Sequence, residues 1–271
     1  MGLIKRKLVL PIYKGVHKLL AGRGLKKYSI VQSINNSFRK KMWVTYVDDI
    51  QGNKMHLLKG GGDSIQISTL GIFEPFETEI LKKEIKKGDF VIDIGASIGY
   101  YTLLFAKWTG TKGKVFSFEP NPDKFSVLTK NVHLNNYQNI TLIQKYVSNK
   151  STTNSEIPSI SLDDYFSQYD YPINLIKMDI EGAEGLALEG MRNFLEKNKN
   201  IKILTEFHTS ELKKFGFDPN DFLNNLQQLG FTIYNINEKN KKLEKTNNDE
   251  LLKNYPNKEI FTNLFCQRNK T

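Results

Sequence analysis

The stretch VIDIGASIGYYTLLFAKW, Val91 to Trp108, decides the fold of this 271-residue chain. A short apolar run carries an acid, Asp93, near its end. Gly95 and Gly99 follow, four residues apart, and a run with helical spacing starts at once. Glycines in a strand-to-helix turn let the main chain approach a small molecule closely, and the first N–H groups of the helix point at it.

Working outward, strand and helix patterns alternate. KVFSFE reads as a strand and Pro122 to Asn135 as a helix. ITLIQKYV and NLIKMDI are strands, with a helix from Glu184 to Leu195. IKILTEFH is a strand, Pro219 to Leu229 a helix, and FTIYNI and FTNLFCQ are the last strands. Such alternation predicts an α/β, doubly wound, Rossmann-like domain with a seven-stranded, mostly parallel sheet. Its last two strands form an antiparallel pair at one edge, joined by the Lys/Asn-rich segment from Asn237 to Lys258, which shows no strong helical pattern. A helix from Thr78 to Ile85 precedes the first strand. Upstream, WVTYV, MHLLK and SIQISTL are separated by turn signals, Gly52-Asn53 and Gly60-Gly61-Gly62, and predict a small antiparallel β lead-in. Three segments result: a basic helical appendage over 1–43, the lead-in over 44–73 and the Rossmann-like domain over 74–271.

Charge separates the segments further. The formal net charge is +10, yet eleven of the 39 basic residues lie before Asp48 and none of the 29 acidic ones does. The body is near neutral. Leu8, Ile12, Val16, Leu19 and Leu20 recur at helical spacing among Lys5, Lys7, Lys14 and Lys18. That pattern suits an anionic membrane surface or a helix packed on its own body, and Pro11 and Gly15, which interrupt it, favour the second. Nucleic acid is the weaker partner, because aromatic residues are not interleaved with the charges. No run reaches the ~20 apolar residues of a membrane span. Cys266 is the single cysteine, which excludes an intrachain disulfide and fits a cytoplasmic location, with the inner face of the membrane as an extension of it. Oligomeric state is not legible.

The ligand can be narrowed from the same stretch. A dinucleotide fingerprint needs a further Gly or Ala three residues after its second glycine, and Gly95-Ala96-Ser97-Ile98-Gly99 has no counterpart in register. A carboxylate at Asp93 would oppose a pyrophosphate but suit an ammonium group. Glu119, twenty residues after Gly99, ends the second strand, where a carboxylate grips a ribose diol. A ligand with a ribose and a cationic end but no diphosphate fits S-adenosylmethionine.

With these residues in place, EPFETEIL, KKGDFVIDIGASIGYYTLLFAK, GKVFSFEPNP, NVHLNN, SLDDYF and IKMDIEGAE together resemble the FkbM family of S-adenosylmethionine-dependent methyltransferases, from about Glu74 to Tyr234. The resemblance implies the class I methyltransferase fold and O-methylation of a hydroxyl on a sugar, glycan, glycolipid or similar small molecule. It implies that Asp93, Gly95, Ser97 and Gly99 form the cofactor loop, that Glu119 holds the ribose, that Pro120 and Asn121 flank the adenine, and that Ser148 belongs to the same set. Two departures stand out. The family usually has Asn where this chain has Ser97, and a longer, strand-containing segment where this chain has only Asn149 to Ile160.

Methyl transfer is an in-line displacement, so the acceptor oxygen must be positioned and its proton removed. Strand alternation puts Lys177, Asp179 and Glu181 on one face, and Glu206 and His208 share a face at the end of the next strand. Asp179 is the leading residue for acceptor positioning or proton removal, with His208 and Glu206 as alternatives. Lys177 is expected to pair with an acid, and Glu184 to serve a helix start. Mg²⁺ held by Asp179, Glu181, Glu206 and His208 stays open as an alternative. Nucleic-acid or protein methylation is disfavoured by the near-neutral body and by the lack of an Asn-Pro-Pro-Tyr type motif. A non-catalytic partner protein is disfavoured by the intact Asp93 and Glu119.

Overall fold

A computed structural model describes residues 46–58, 62–153, 155–169, 171–256 and 260–268. The basic appendage over 1–43 lies outside the described residues. Contacts divide the chain into two compact units, Met1–Phe73 and Glu74–Thr271.

In the first unit, β1 (Tyr46–Ile50) and β2 (Asn53–His56) form an antiparallel hairpin around Gln51 and Gly52, both at positive φ. The strand expected at SIQISTL is instead a helix, α1 (Gly62–Leu70). Ser64 and Ile67, three apart, are both buried, which is a helical period rather than the alternation the string displays.

The second unit opens with α2 (Pro75–Glu84) and then alternates as expected: β3 (Phe90–Ile94), α3 (Tyr100–Thr109), β4 (Lys114–Phe118), α4 (Pro122–Leu134) and β5 (Ile140–Ile143). A short parallel pair follows, β6 (Tyr146–Val147) with β7 (Ser159–Ile160), and then α5 (Leu162–Tyr165). The chain continues through β8 (Ile173–Met178), α6 (Glu184–Glu189), α7 (Arg192–Lys197), β9 (Lys202–Phe207), α8 (Thr209–Lys214), α9 (Pro219–Gln228), β10 (Phe231–Asn237), β11 (Lys242–Lys245), α10 (Asn248–Asn254) and β12 (Thr262–Arg268). The main sheet runs β11-β10-β12-β9-β8-β3-β4-β5. β3, β4, β5, β8 and β9 are mutually parallel, and β12 pairs antiparallel with both β9 and β10. The seven expected strands are all present and the sheet is mostly parallel. The antiparallel pair β10–β12 is not terminal: β12 lies between β10 and β9, and an eighth strand, β11, takes the edge.

Local chemistry explains the elements the periodicity missed. Asn247 caps α10 by accepting the Glu250 N–H at 2.9 Å, and Leu251 is buried, so the Lys/Asn-rich segment does fold. The expected helix from Glu184 to Leu195 is broken at Gly190, where a Cβ would stand 2.0 Å from the Ser148 carbonyl oxygen. The SLDDYF string supplies two caps. Ser161 Oγ accepts the Asp164 N–H at 3.1 Å, and Asp163 accepts the Phe194 N–H at 2.7 Å at the start of α7. No helix among the described residues is long and apolar enough to cross a membrane.

The two faces of the sheet differ. Ile92, Ile94, Phe116, Phe118, Ile176 and Met178 pack with Phe166, Phe194 and Leu223 in the main core. The alternating residues Asp93, Ser117 and Lys177 face the other side, where Thr102 of α3 meets them. Ile176 is fully buried. Ile176→Ala is expected to cost about 2–5 kcal/mol, read as a shift in the urea midpoint at unchanged slope.

Candidate functional site

The site lies at the carboxyl ends of β3, β4, β8 and β9, where open parallel sheets bind ligands. The turn after β3 is built for close packing. The Gly95 and Ala96 N–H groups both donate to the Phe118 carbonyl at 2.9 Å, tying the turn to β4. Gly95 has φ +83°, and a Cβ there would sit 2.0 Å from the Asp179 carbonyl oxygen. At Gly99, φ +93°, a Cβ would meet Leu128 of α4 at 2.6 Å.

Glu119 ends β4 and gathers this loop. One carboxylate oxygen accepts the Ser97 N–H and the other the Asn121 N–H, each at 2.8 Å. Burial raises its pKa even though both N–H groups favour the anion. Ser97 reaches Glu119 by adopting φ +50°, a left-handed conformation that L residues other than Asn and Asp mostly avoid. The departure at this position therefore carries backbone strain. Asn121 commits its side chain to capping α4, accepting the Asp123 and Lys124 N–H groups at 3.0 Å, and Pro120 stands between it and Glu119. Ser148 follows β6, donates its N–H to Ile160 and abuts Gly190. Among the described residues no hydrogen bond joins it to the Gly95–Asn121 group.

Asp93 lies beneath the turn, 1% exposed. Thr102 Oγ1 donates to its Oδ2 at 2.6 Å, while its Oδ1 has no hydrogen-bond partner among the described residues. Burial pushes this carboxyl up to about 6.

Beside Asp93 in register stands Lys177, buried, its ammonium 3.0 Å from Asp179 Oδ2 and 4.7 Å from the centroid of the Tyr101 ring. The expected acid partner is thus Asp179. Burial works against the Lys177 charge, but Asp179, Glu74 and Asp93 outweigh it and hold its pKa above the usual lysine range. β8 ends at Met178, so Glu181 does not continue the strand face. It occupies a left-handed turn, φ +54°, and is exposed. Glu184 is buried and accepts the Ile180 N–H at 2.9 Å, the structural role expected of it, with burial pushing its carboxyl up to about 7.

Among the described residues no hydrogen bond joins Glu206 to His208. The Glu206 carboxyl is partly buried and makes no hydrogen bond among the described residues, and burial with Asp179 and Glu184 nearby pushes it up to about 8. The His208 imidazole stacks on Phe261, centroids 5.8 Å apart, with Nδ1 3.2 Å from Ser210 Oγ. Among the described residues no group of three or more His, Cys, Asp or Glu is placed to hold a metal ion, so the four candidate Mg²⁺ ligands do not converge.

The residues of EPFETEIL supply what site prediction missed. Glu74 Oε2 accepts the Tyr101 hydroxyl at 2.8 Å, and Glu77 Oε1 accepts the Asn263 amide of β12. Glu77 Oε2 is buried without a partner among the described residues, and burial, then Glu74, raises the Glu77 carboxyl well above its usual range. Two acids three apart at the N-terminal end of a helix were the available signal.

Comparison with known proteins gives the architecture a family. The profile described as the Methyltransferase FkbM domain matches residues 93–233, slightly more than half of the chain. The chain belongs to the FkbM methyltransferase family. A second profile, protein-L-isoaspartate(D-aspartate) O-methyltransferase, matches residues 31–146. Among curated proteins, hexuronic acid methyltransferase AglP of Haloferax volcanii is 29% identical over 162 residues, covering 52% of this chain and 63% of that protein. This chain therefore spans less than two thirds of that relative's length. Among solved structures, a SAM-dependent O-methyltransferase from Thermotoga maritima aligns with a TM-score of 0.46 at 13% identity, covering 74% of this chain and 67% of that one. Aeropyrum pernix fibrillarin with bound S-adenosyl-L-methionine aligns with a TM-score of 0.46 at 11% identity, covering 71% and 74%.

Two outcomes test this site of the FkbM domain. Ser97→Asn, which relieves the left-handed strain, is expected to stabilise the fold by up to about 1 kcal/mol, whereas Gly95→Ala is expected to lower the melting temperature sharply. Stability should also depend on pH. Asp93, Glu184 and Glu206 keep protons in the fold that the unfolded chain releases, so their contribution is fully present below the ordinary carboxylate range. It is lost as pH rises through about 6, 7 and 8. Thermal melts from pH 4.5 to 9 should show that decline, and Glu206→Gln should flatten its upper end.

Proposed function

We propose that this domain transfers a methyl group from S-adenosylmethionine to a hydroxyl of a sugar, on a glycan, glycolipid or similar small acceptor. The observation that carries this reading is Glu119, held by two loop N–H groups beside a glycine turn with no room for a side chain. Each Glu119 oxygen keeps a lone pair for one hydroxyl of a ribose diol. The bare Gly95 backbone and the first turn of α3 would receive the amino-acid end of the cofactor, and the orphaned Asp93 Oδ1 beneath them adds negative charge that suits its ammonium. When bound, the cofactor supplies an electrophilic methyl group on a sulfonium.

The chain's own residues do the remaining work. Asp179, fixed by Lys177, stands at the end of β8 against the glycine turn, where it would hold an acceptor hydroxyl in line. Glu206 ends the adjacent strand and His208 follows at the rim. The sugar reading draws on the Haloferax volcanii relative, named for hexuronic acid. A cytoplasmic location suits the lone Cys266, a buried thiol pushed up to about 12 by burial.

The test is transfer of label from methyl-tritiated S-adenosylmethionine into a panel of glucuronate-containing oligosaccharides, neutral oligosaccharides and RNA. Label is expected in a sugar and should survive mild alkali, as a methyl ether does and a methyl ester does not. Incorporation into RNA, or loss of the sugar label in alkali, would contradict the hydroxyl reading.

A further inference from the structure

Register lines up one row of polar residues across the sheet. Asp93 pairs with Lys177, and Glu206 pairs with Asn263. Met178 pairs with Thr205, so Asp179 and Glu206 are neighbours one residue beyond. Directly paired residues of neighbouring strands share a face, in parallel and antiparallel pairs alike, so these side chains stand on one side of the sheet. Asp93 has Thr102, Lys177 has Asp179, and Asn263 has Glu77. Glu206 is the member of this row whose side chain has no hydrogen bond among the described residues, although it is partly buried.

The groups around Glu206 are mostly acids. Asp179 just past β8, Glu184 of α6 and Glu74 before α2 act on its charge unfavourably, and Lys177 of β8 favourably. Glu77 comes close through Asn263, and Asp93 lies further along the row. His208 follows on its own strand with its ring turned to Phe261. The one cation in this group, Lys177, is already paired with Asp179. Lys177 therefore favours a negative charge on Glu206 only in part, against burial and the Asp179 and Glu184 carboxyls. Asp179, the neighbour of Glu206 beyond the paired ends of β8 and β9, has its backbone directly against the Gly95 turn, which the reading above gives to the cofactor.

Resting on the cofactor reading above, we infer that Glu206 senses the cofactor's positive charge: it holds a proton in the cofactor-free protein and releases it when a sulfonium lodges beside Asp179, becoming the base for the acceptor hydroxyl. Burial and the Asp179 carboxylate, which push the group up to about 8, agree with a proton at rest. A positive charge within about 4–6 Å favours the ionised carboxylate by tenfold or more. In the transfer the acceptor oxygen bonds to the methyl carbon, the sulfur–methyl bond breaks, and the hydroxyl proton passes to Glu206. The thioether left behind is neutral, so Glu206 ends the cycle protonated and no longer favours a sulfonium over the product.

Calorimetric titration at pH 7 in phosphate and in Tris measures protons released on binding. The probes are S-adenosylmethionine, its neutral product S-adenosylhomocysteine, and sinefungin, which carries an amine in place of the sulfonium. The two cationic ligands should release on the order of one proton more than the thioether, and Glu206→Gln should abolish that difference. S-adenosylmethionine affinity should also rise up to about tenfold per pH unit below 8 in the wild type and stay flatter in Glu206→Gln. Equal proton release for all three ligands in the wild type, or a difference that persists in Glu206→Gln, would overturn the inference and leave the cofactor reading intact. Failure of every ligand to bind would overturn both.

Discussion

One buried ammonium organises the open end of the sheet. Lys177 is 3% exposed, and the carboxyls of Asp179, Asp93, Glu74 and Glu77 gather around it. Desolvating so many charges is expensive, and removing the single cation would leave the buried Asp93 and Glu77 carboxyls without a compensating charge, while Asp179, 33% exposed, is eased by solvent. The arrangement persists because each neighbour has a second attachment. Thr102 holds Asp93, Tyr101 holds Glu74 and offers its ring face to the ammonium, and Asn263 holds Glu77. Helices α2 and α3 and strands β3, β8 and β12 are thereby tied at one point.

The ligand loop rests on that point. The Asp179 N–H donates to the Ile94 carbonyl of β3 at 3.0 Å, and its own carbonyl stands where only a glycine fits at position 95. The turn that results delivers the Ser97 N–H to Glu119, and Glu119 in turn fixes Asn121 at the start of α4. A rigid row of polar groups thus sets the geometry of a bare-backbone turn. The acids that Lys177 compensates only in part, Glu206 above all, are those whose charge a cationic ligand would settle.

Much of this was legible in Val91 to Trp108, because strand alternation, glycine freedom and helix start are local rules. The partner of Lys177 followed from alternation, since Asp179 is two residues away on the same face. Its further neighbours were not legible. Glu74 and Glu77 lie in a segment that precedes the first sheet strand, and Asn263 lies in the last strand, so only tertiary packing brings them together. The helix at SIQISTL is hidden in the string because its apolar residues alternate while burial follows a three-residue step. The break at Gly190 depends on the Ser148 carbonyl, forty-odd residues earlier, while β11 follows a turn in which Asn237 accepts the Asn240 N–H and α10 starts on the Asn247 cap, all inside a segment whose composition resembles a loop. The Ser97 departure was visible as a substitution, but its meaning, strain at φ +50°, needed the backbone.

Binding of S-adenosylmethionine to the wild type and to Glu119→Ala, followed by calorimetry, tests the central claim most directly. The account predicts micromolar-range binding to the wild type that is lost in Glu119→Ala at a temperature where the variant is still folded, its melting temperature lowered by the two loop N–H groups left unpaired. Binding that survives the loss of Glu119, or a wild type that does not bind at all, would contradict it.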